Sequence, residues 1–463
     1  MQITLGACLA TLLGTSEVRA SAFVVNARTE AQLYQIRSYR GTDPANPLIL
    51  PRRRLVQYLG LDGFELVTGE DLGFETNLRV FTDFGVTGSE AERIDGLRAQ
   101  DADLMYAHLN YRRGGFEGRL GRQYLSNVLE YMSIDGVRLR YVTPMGLGAE
   151  AFGGFWVKGT SIIGSPTHAL DGLREAEGRV GADALIFEEE AQYEPVFGAR
   201  LVGENVLNSG VSGFVGYRRS ELAQEVNSER IGAALDYTNN RGVNLLGALE
   251  YDLFILRVSQ ARVRVRYDHD EYAATVEALR IAPTFAASSI WYFFANAPRD
   301  EFKVRGDYTP VGPLRYYAEL LVDRFGTEIN ENLALANALT DPGLSTPWVL
   351  GAAAGAHFNR GPVHTGLDVL WRNGYGGRQF WVDVTGGYQA ESRRWSVDGR
   401  VSIANVDDDR LTLLRGTFFG AQLWGSYLLS RAARISLVLE QNVNPFTTSD
   451  TRAYAVFDLK AVP

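Results

Sequence analysis

Between Asp101 and Val157 the chain alternates apolar and polar residues through four segments of roughly ten residues each, a period of two that only an extended strand can use. Leu104 to Arg112 meets Phe116 to Tyr124 across Arg113-Gly114-Gly115, and Val137 to Tyr141 meets Leu147 to Val157 across Thr143-Pro144-Met145-Gly146. Gly and Pro supply the backbone angles a tight hairpin needs. The joint between the two pairs, Ser126 to Ile134, is longer and more polar. Tight turn, loop, tight turn is the pattern of an up-and-down antiparallel barrel with short turns at one end and longer loops at the other.

A soluble sandwich also alternates, so the extent of the pattern decides. In Phe74 to Phe84, Phe74, Leu78, Val80 and Phe84 oppose Glu75, Asn77, Arg79 and Asp83. Leu245, Leu249, Tyr251 and Leu253 oppose Asn244, Glu250 and Asp252; Val263, Val265 and Tyr267 oppose Arg262, Arg264 and Arg266. These last two segments adjoin with no Gly, Pro or Asn between them, and a turn is expected near Ile255 to Gln260 because the combined run is too long for one crossing. Farther on, Leu314, Tyr316, Ala318, Leu320 and Val322 oppose Arg315, Tyr317, Glu319 and Asp323. The first strand is expected at Leu33 to Arg40 and the second at Leu55 to Leu66. About 22 such segments are found, with Tyr or Trp at many ends (Tyr237, Tyr251, Tyr267, Trp371, Tyr388, Trp395), as interfacial girdles require. The long joints fall mostly on one side; the longest is Gly159 to Gln192, with the acidic run Glu188 to Glu190. The fold class expected is an all-β transmembrane up-and-down barrel with an even strand number of roughly 18–22.

Composition agrees with a chain whose hydrophobicity sits in every second residue. In 463 residues there are 49 Gly and 11% aromatics, and mean hydropathy is near zero at −0.12. There is no apolar run long enough for a helical span. Residues 1–22 read as an export signal, with Ile3 to Leu13 as the apolar core and Ala20-Ser21-Ala22 as a small-x-small cleavage site. Residues 23–463 then form a single barrel domain without cysteine, since the one Cys is Cys8. Export without a helical span points to the outer membrane of a two-membrane bacterium. The net charge of −9, with basic residues spread singly along strands, excludes a nucleic-acid partner.

Gly118-Arg119-Leu120-Gly121-Arg122-Gln123, a polar loop, and Asp135-Gly136-Val137-Arg138-Leu139-Arg140-Tyr141 are similar to the alginate-export family of outer-membrane porins. That resemblance implies a monomeric barrel of about 18 strands passing a polyanion or a small organic solute through a basic lumen.

Arg262, Arg264 and Arg266 on one face of one strand form a basic stripe that attracts anions if it faces an open lumen. Arg119, Arg138, Arg140, Arg305 and Arg315 extend it, with Glu319 beside them. The bland reading is that such arginines brace the wall by pairing with Glu250, Asp252, Glu277, Asp307 and Glu319. Arg122 has the parity of Leu120 and Tyr124; either a bulge at Gly121 turns it inward or it snorkels at the membrane edge, the second being favoured. Asp268-His269-Asp270 at a short turn reads as solvated rather than catalytic, and no Gly-x-Ser-x-Gly accompanies it. Asp407-Asp408-Asp409 lacks the Gly and Glu of a calcium loop and reads as a loop tip. No enzyme, cofactor or metal site is expected.

The function these features imply is a porin-type channel for passive diffusion of small polar or anionic solutes, embedded among outer-membrane lipids and lipopolysaccharide. Two alternatives stand beside it: a transporter of hydrophobic compounds, which needs a plug and a lateral opening, and a closed structural or surface-interaction barrel.

Overall fold

Two-residue alternation gives each segment one face for lipid and one for the interior, and in a membrane such a sheet is stable only when its edges meet. The computed structural model shows that closure. It describes residues 22–38, 48–67, 69–85, 100–126, 131–157, 193–222, 224–239, 241–282, 298–326, 347–375, 377–407, 415–445 and 447–461. The strands are β1 (Ala22–Ser38), β2 (Leu48–Phe64), β3 (Asp71–Asp83), β4 (Gln100–Arg113), β5 (Phe116–Ser126), β6 (Tyr131–Val142) and β7 (Leu147–Trp156). Then come β8 (Pro195–Gly203), β9 (Val211–Leu222), β10 (Glu225–Thr238), β11 (Val243–Asp252), β12 (Arg257–His269), β13 (Tyr272–Ile281), β14 (Arg299–Tyr308) and β15 (Leu314–Phe325). The last are β16 (Trp348–Arg360), β17 (Val363–Gly374), β18 (Gly377–Gln389), β19 (Trp395–Asp407), β20 (Gly416–Leu428), β21 (Ala433–Asn444) and β22 (Thr447–Ala461). Each strand pairs antiparallel with its neighbours in sequence, and β1 closes on β22 from Val25↔Ala461 to Leu33↔Ala453. The architecture is therefore a closed 22-stranded transmembrane barrel.

Large apolar side chains cover the outer face: Val263, Val265, Leu320, Leu350, Val384, Leu423 and Leu437 are all exposed. Two margins bound this apolar band. At the end that carries both termini and the short turns, Tyr308 stacks on Tyr272 at 4.7 Å and on Tyr316 at 6.3 Å. Toward the other end, the same three strands bring Arg280, Asp300 and Arg324 into adjacent register on the outer face, followed by Trp348. The two rows lie about 27 Å apart along each strand at roughly 3.4 Å per residue, the reach of a tilted membrane strand. These three charges therefore stand at the edge of the outer face, where their cost is small.

Several joints differ from expectation for local reasons. The expected turn after Ile255 closes earlier, at 253–256: the Asp252 carboxylate accepts hydrogen bonds from the amides of Phe254 (3.0 Å) and Ile255 (3.1 Å), and Leu256 takes φ 54. An Asx turn replaces the Gly or Pro signal. β1 starts at Ala22 rather than Leu33, because its outward residues Ala27, Thr29 and Ala31 are small or polar and blur the alternation. β2 starts ahead of Leu55 and includes Arg52, Arg53 and Arg54. The 159–192 loop with Glu188 to Glu190, the helix-like run 332–339, His168, Asp408, Asp409 and residues 1–21 lie outside the described residues.

One seam is short. β4 extends to Gln100 and β5 to Ser126, but their ladder stops at Ala107↔Arg122. Just beyond the stop, the Arg122 guanidinium donates to the Leu104 carbonyl on β4 at 3.1 Å.

Candidate channel lumen

The face opposite the apolar band lines the interior, and three of its walls differ in character. On β5 to β8 it is braced and buried. Glu117 sits between Arg119 (2.9 Å) and Arg138 (3.5 Å), and Glu150 between Arg138 (2.8 Å) and Arg200 (3.1 Å), so four strands are laced by one chain of ion pairs. Arg140 pairs with Glu204. Toward the loop end the interior face turns apolar: Leu125, Met132, Ile134, Phe152 and Val196 form a fully buried cluster with Trp156 packed against it. The guanidinium of Arg218 lies 5.5 Å over the Trp156 ring.

Arg122 sits at the edge of this wall. The β5–β6 ladder passes Gly121 (φ 121) without a register shift, so Arg122 keeps the parity of Leu120. It is nevertheless 4% exposed, because Asp135 holds its guanidinium through two bonds of 2.7 Å. The expected snorkel to the membrane edge is thus corrected: the carboxylate directly across from it in register, two positions beyond the Leu120↔Val137 pair, captures the side chain before it can reach water. The sequence carried that signal in Asp135, which shares the parity of Val137.

The second wall, β12 to β15, carries the arginine stripe. All nine sequence candidates project to the interior face, since each alternates with exposed apolar neighbours such as Leu120, Leu139, Val263, Val265, Val304 and Leu320. Most are paired. Arg262 meets Glu277 at 3.1 Å; Arg266 meets Asp268 at 2.7 Å and Asp307 at 3.7 Å. Arg305 meets Asp307 at 2.8 Å and Glu319 at 4.0 Å, with its guanidinium 4.0 Å over the Tyr317 ring. Arg264 and Arg315 have no ion pair with any described residue.

The third wall, β16 to β22, is open to solvent. His357 Nε2 lies 3.1 Å from Asp368, which also accepts from the Tyr317 hydroxyl at 2.7 Å; His364 Nε2 lies 2.9 Å from Asp398. Arg400 pairs with Asp383 at 2.7 Å and Arg434 with Asp458 at 3.0 Å. The side chains of His364 and Arg400 remain 48% and 46% exposed. Sequence reasoning passed over these two histidines, though both share the parity of the interior acids.

His269 stands at a turn with its ring 3.6 Å from the Asp270 carboxylate, both side chains largely exposed. Asp268 pairs with Arg266 instead, so the Asp-His-Asp run assembles no relay. Among the described residues no group of three or more His, Cys, Asp or Glu converges as a metal site.

No protein-family description and no curated relative matches the chain. The chain is similar to solved outer-membrane porins. Acinetobacter baumannii OccAB4 is 7% identical over 97% of this chain and 100% of that one, with a TM-score of 0.45. A BenF-like porin from Pseudomonas fluorescens Pf-5 is 8% identical over 97% and 100%, also at 0.45. Pseudomonas aeruginosa opdK is 9% identical over 95% and 99%, at 0.40. No residue role is carried over from any of them.

Proposed function

We propose that this chain is an outer-membrane channel for the passive diffusion of small polar or anionic solutes, with residues 1–22 its export signal and 23–463 the barrel. The observation that carries the reading is the contrast between faces: an outer face of exposed Val, Leu and aromatic residues, and an interior of charged side chains that stay partly exposed along β12 to β22. A closed structural barrel has no use for half-exposed ion pairs at its centre. A carrier of hydrophobic compounds would need an apolar interior route, and the apolar interior residues of β5 to β8 are buried against one another.

In this reading the candidate residues Arg119, Arg138, Arg140, Arg262, Arg264, Arg266, Arg305, Arg315 and Glu319 act mainly as wall bracing. Arg264 and Arg315 supply what uncompensated positive charge the stripe has. The alginate-export resemblance implies about 18 strands and a basic lumen; 22 strands and a largely paired stripe favour small solutes over a polyanion. Outer-membrane lipids and lipopolysaccharide surround the barrel, and passage requires no cofactor or catalysis.

The test is reconstitution of the purified chain into planar bilayers. Discrete conductance steps with an ohmic open state are expected, and reversal potentials in a salt gradient report charge selectivity. A folded barrel that gives no conductance at any voltage would sink the reading.

A further inference from the structure

A tryptophan facing a water-filled interior forfeits apolar burial unless something covers it. Trp381 does so: it has the parity of Asp383, which pairs with Arg400 inside, yet it is 42% exposed. Across β19 its register partner is Ala404, and the partner of Ala404 on β20 is Phe418. Two aromatic side chains therefore flank a methyl group. Below Ala404 the row continues through Ser402 and Gly420, again small. The result is a notch in the interior wall, a cavity of about 560 Å3 lined by Trp381, Phe418, Arg400, Gln422, Glu440 and Arg452 among others. That volume suits one or two small rings.

The charged groups of the notch already have partners. Arg400 is bound to Asp383 through two nitrogens at 3.0 and 2.7 Å. Arg452 is bound to Asp450 through two more at 3.2 and 2.8 Å. Gln422 donates to Glu440 at 2.7 Å. Two lining guanidiniums meet two lining carboxylates, Glu440 and Asp450, and Asp383 bound to Arg400 makes a third, so the site offers no net attraction for an anion. Each guanidinium still has N–H groups beyond those its carboxylate takes, and each carboxylate has free lone pairs. Donors and acceptors thus alternate around an aromatic flank.

We propose that this notch is a subsite for a neutral polyhydroxylated ring, a sugar unit in transit. The apolar C–H face of such a ring covers Trp381 and Phe418, and its edge hydroxyls both donate and accept, as the paired side chains require. A hydrocarbon solute would leave the ion pairs unsolvated, and an aromatic acid would meet the surplus carboxylate. The proposal rests on the channel reading, and its test separates the two.

Maltose added to one side of a bilayer holding the wild-type channel should reduce the ion current with a saturable dependence. Trp381→Ala should weaken that block about tenfold, the worth of one lost aromatic stack, while the channel still conducts. In parallel, maltose should perturb the tryptophan fluorescence of the full chain in detergent, and the perturbation should be lost in Trp381→Ala whose heat-modifiable gel migration shows an intact barrel. A conducting channel that maltose neither blocks nor perturbs overturns the sugar site and leaves the channel standing. Block by benzoate and not by maltose overturns it in favour of aromatic anions. Equal maltose block in wild type and Trp381→Ala overturns the placement. A protein that binds maltose by fluorescence but never conducts refutes the channel reading and keeps the site.

Discussion

The wall formed by β5 to β8 and the wall formed by β17 to β21 are written in the same alternating pattern, but their interiors differ. On the first, Ile134 is fully buried and Glu150 is 4% exposed. On the second, Trp381 is 42% exposed and the Arg400 side chain 46%. An ion pair removed from water and one bathed in it are different objects. The first must be complete, because a lone buried charge is costly; the second is nearly free to open, because water replaces the partner. One side of the barrel is built as a core and the other as a solvent-facing surface.

The largest effect should come from breaking the buried pair. Arg122→Ala leaves the Asp135 carboxylate without its bidentate partner and removes the donor to Leu104 at the short β4–β5 seam. A loss of about 3–5 kcal/mol is expected in urea unfolding from detergent micelles, against about 0–1 kcal/mol for Arg400→Ala on the open wall. Equal losses for the two variants would erase the contrast.

Next is the apolar cluster. Ile134→Ala should cost about 2–5 kcal/mol, since it opens a cavity among Leu125, Met132, Phe152 and Val196. The same truncation at Leu370, register partner of Trp381 on the open wall, should cost less because water enters the space left behind. A loss at Leu370 matching that at Ile134 would mean that the second wall is packed as well.

The sequence disclosed the faces more fully than the partners, and the reason is physical. Alternation is a property of one strand, so the interior projection of Arg262, Arg264 and Arg266 was legible before any neighbour was placed. Pairing depends on the register between strands, which alternation leaves free in steps of two. That is why Glu277 stood as one acid among five with no particular arginine assigned to it, and Asp268 was not among the five. Asp252 shows the same limit at a turn: its carboxylate does locally what Gly or Pro does elsewhere, and a search for Gly and Pro passes over it. Arg122 erred in a third way. Its parity was legible, but the fate of a charge on that face depended on Asp135 arriving from β6.

The smallest effect is also the most discriminating, and it concerns the intermediate wall of β12 to β15. Removing a whole ion pair leaves the net interior charge unchanged, whereas removing an unpartnered arginine lowers it by one. The double variant Arg262→Gln with Glu277→Gln should therefore keep the wild-type reversal potential. Arg264→Gln, at a position with no ion pair among the described residues, should move it toward cations by a few millivolts. The shift should be clear at about 0.01 M salt, where screening reaches roughly 30 Å, and vanish near 1 M, where it reaches about 3 Å. If the double variant shifts selectivity and Arg264→Gln does not, the passing ion follows the paired side of the stripe. Charge exposure on this wall would then be the reverse of the arrangement described.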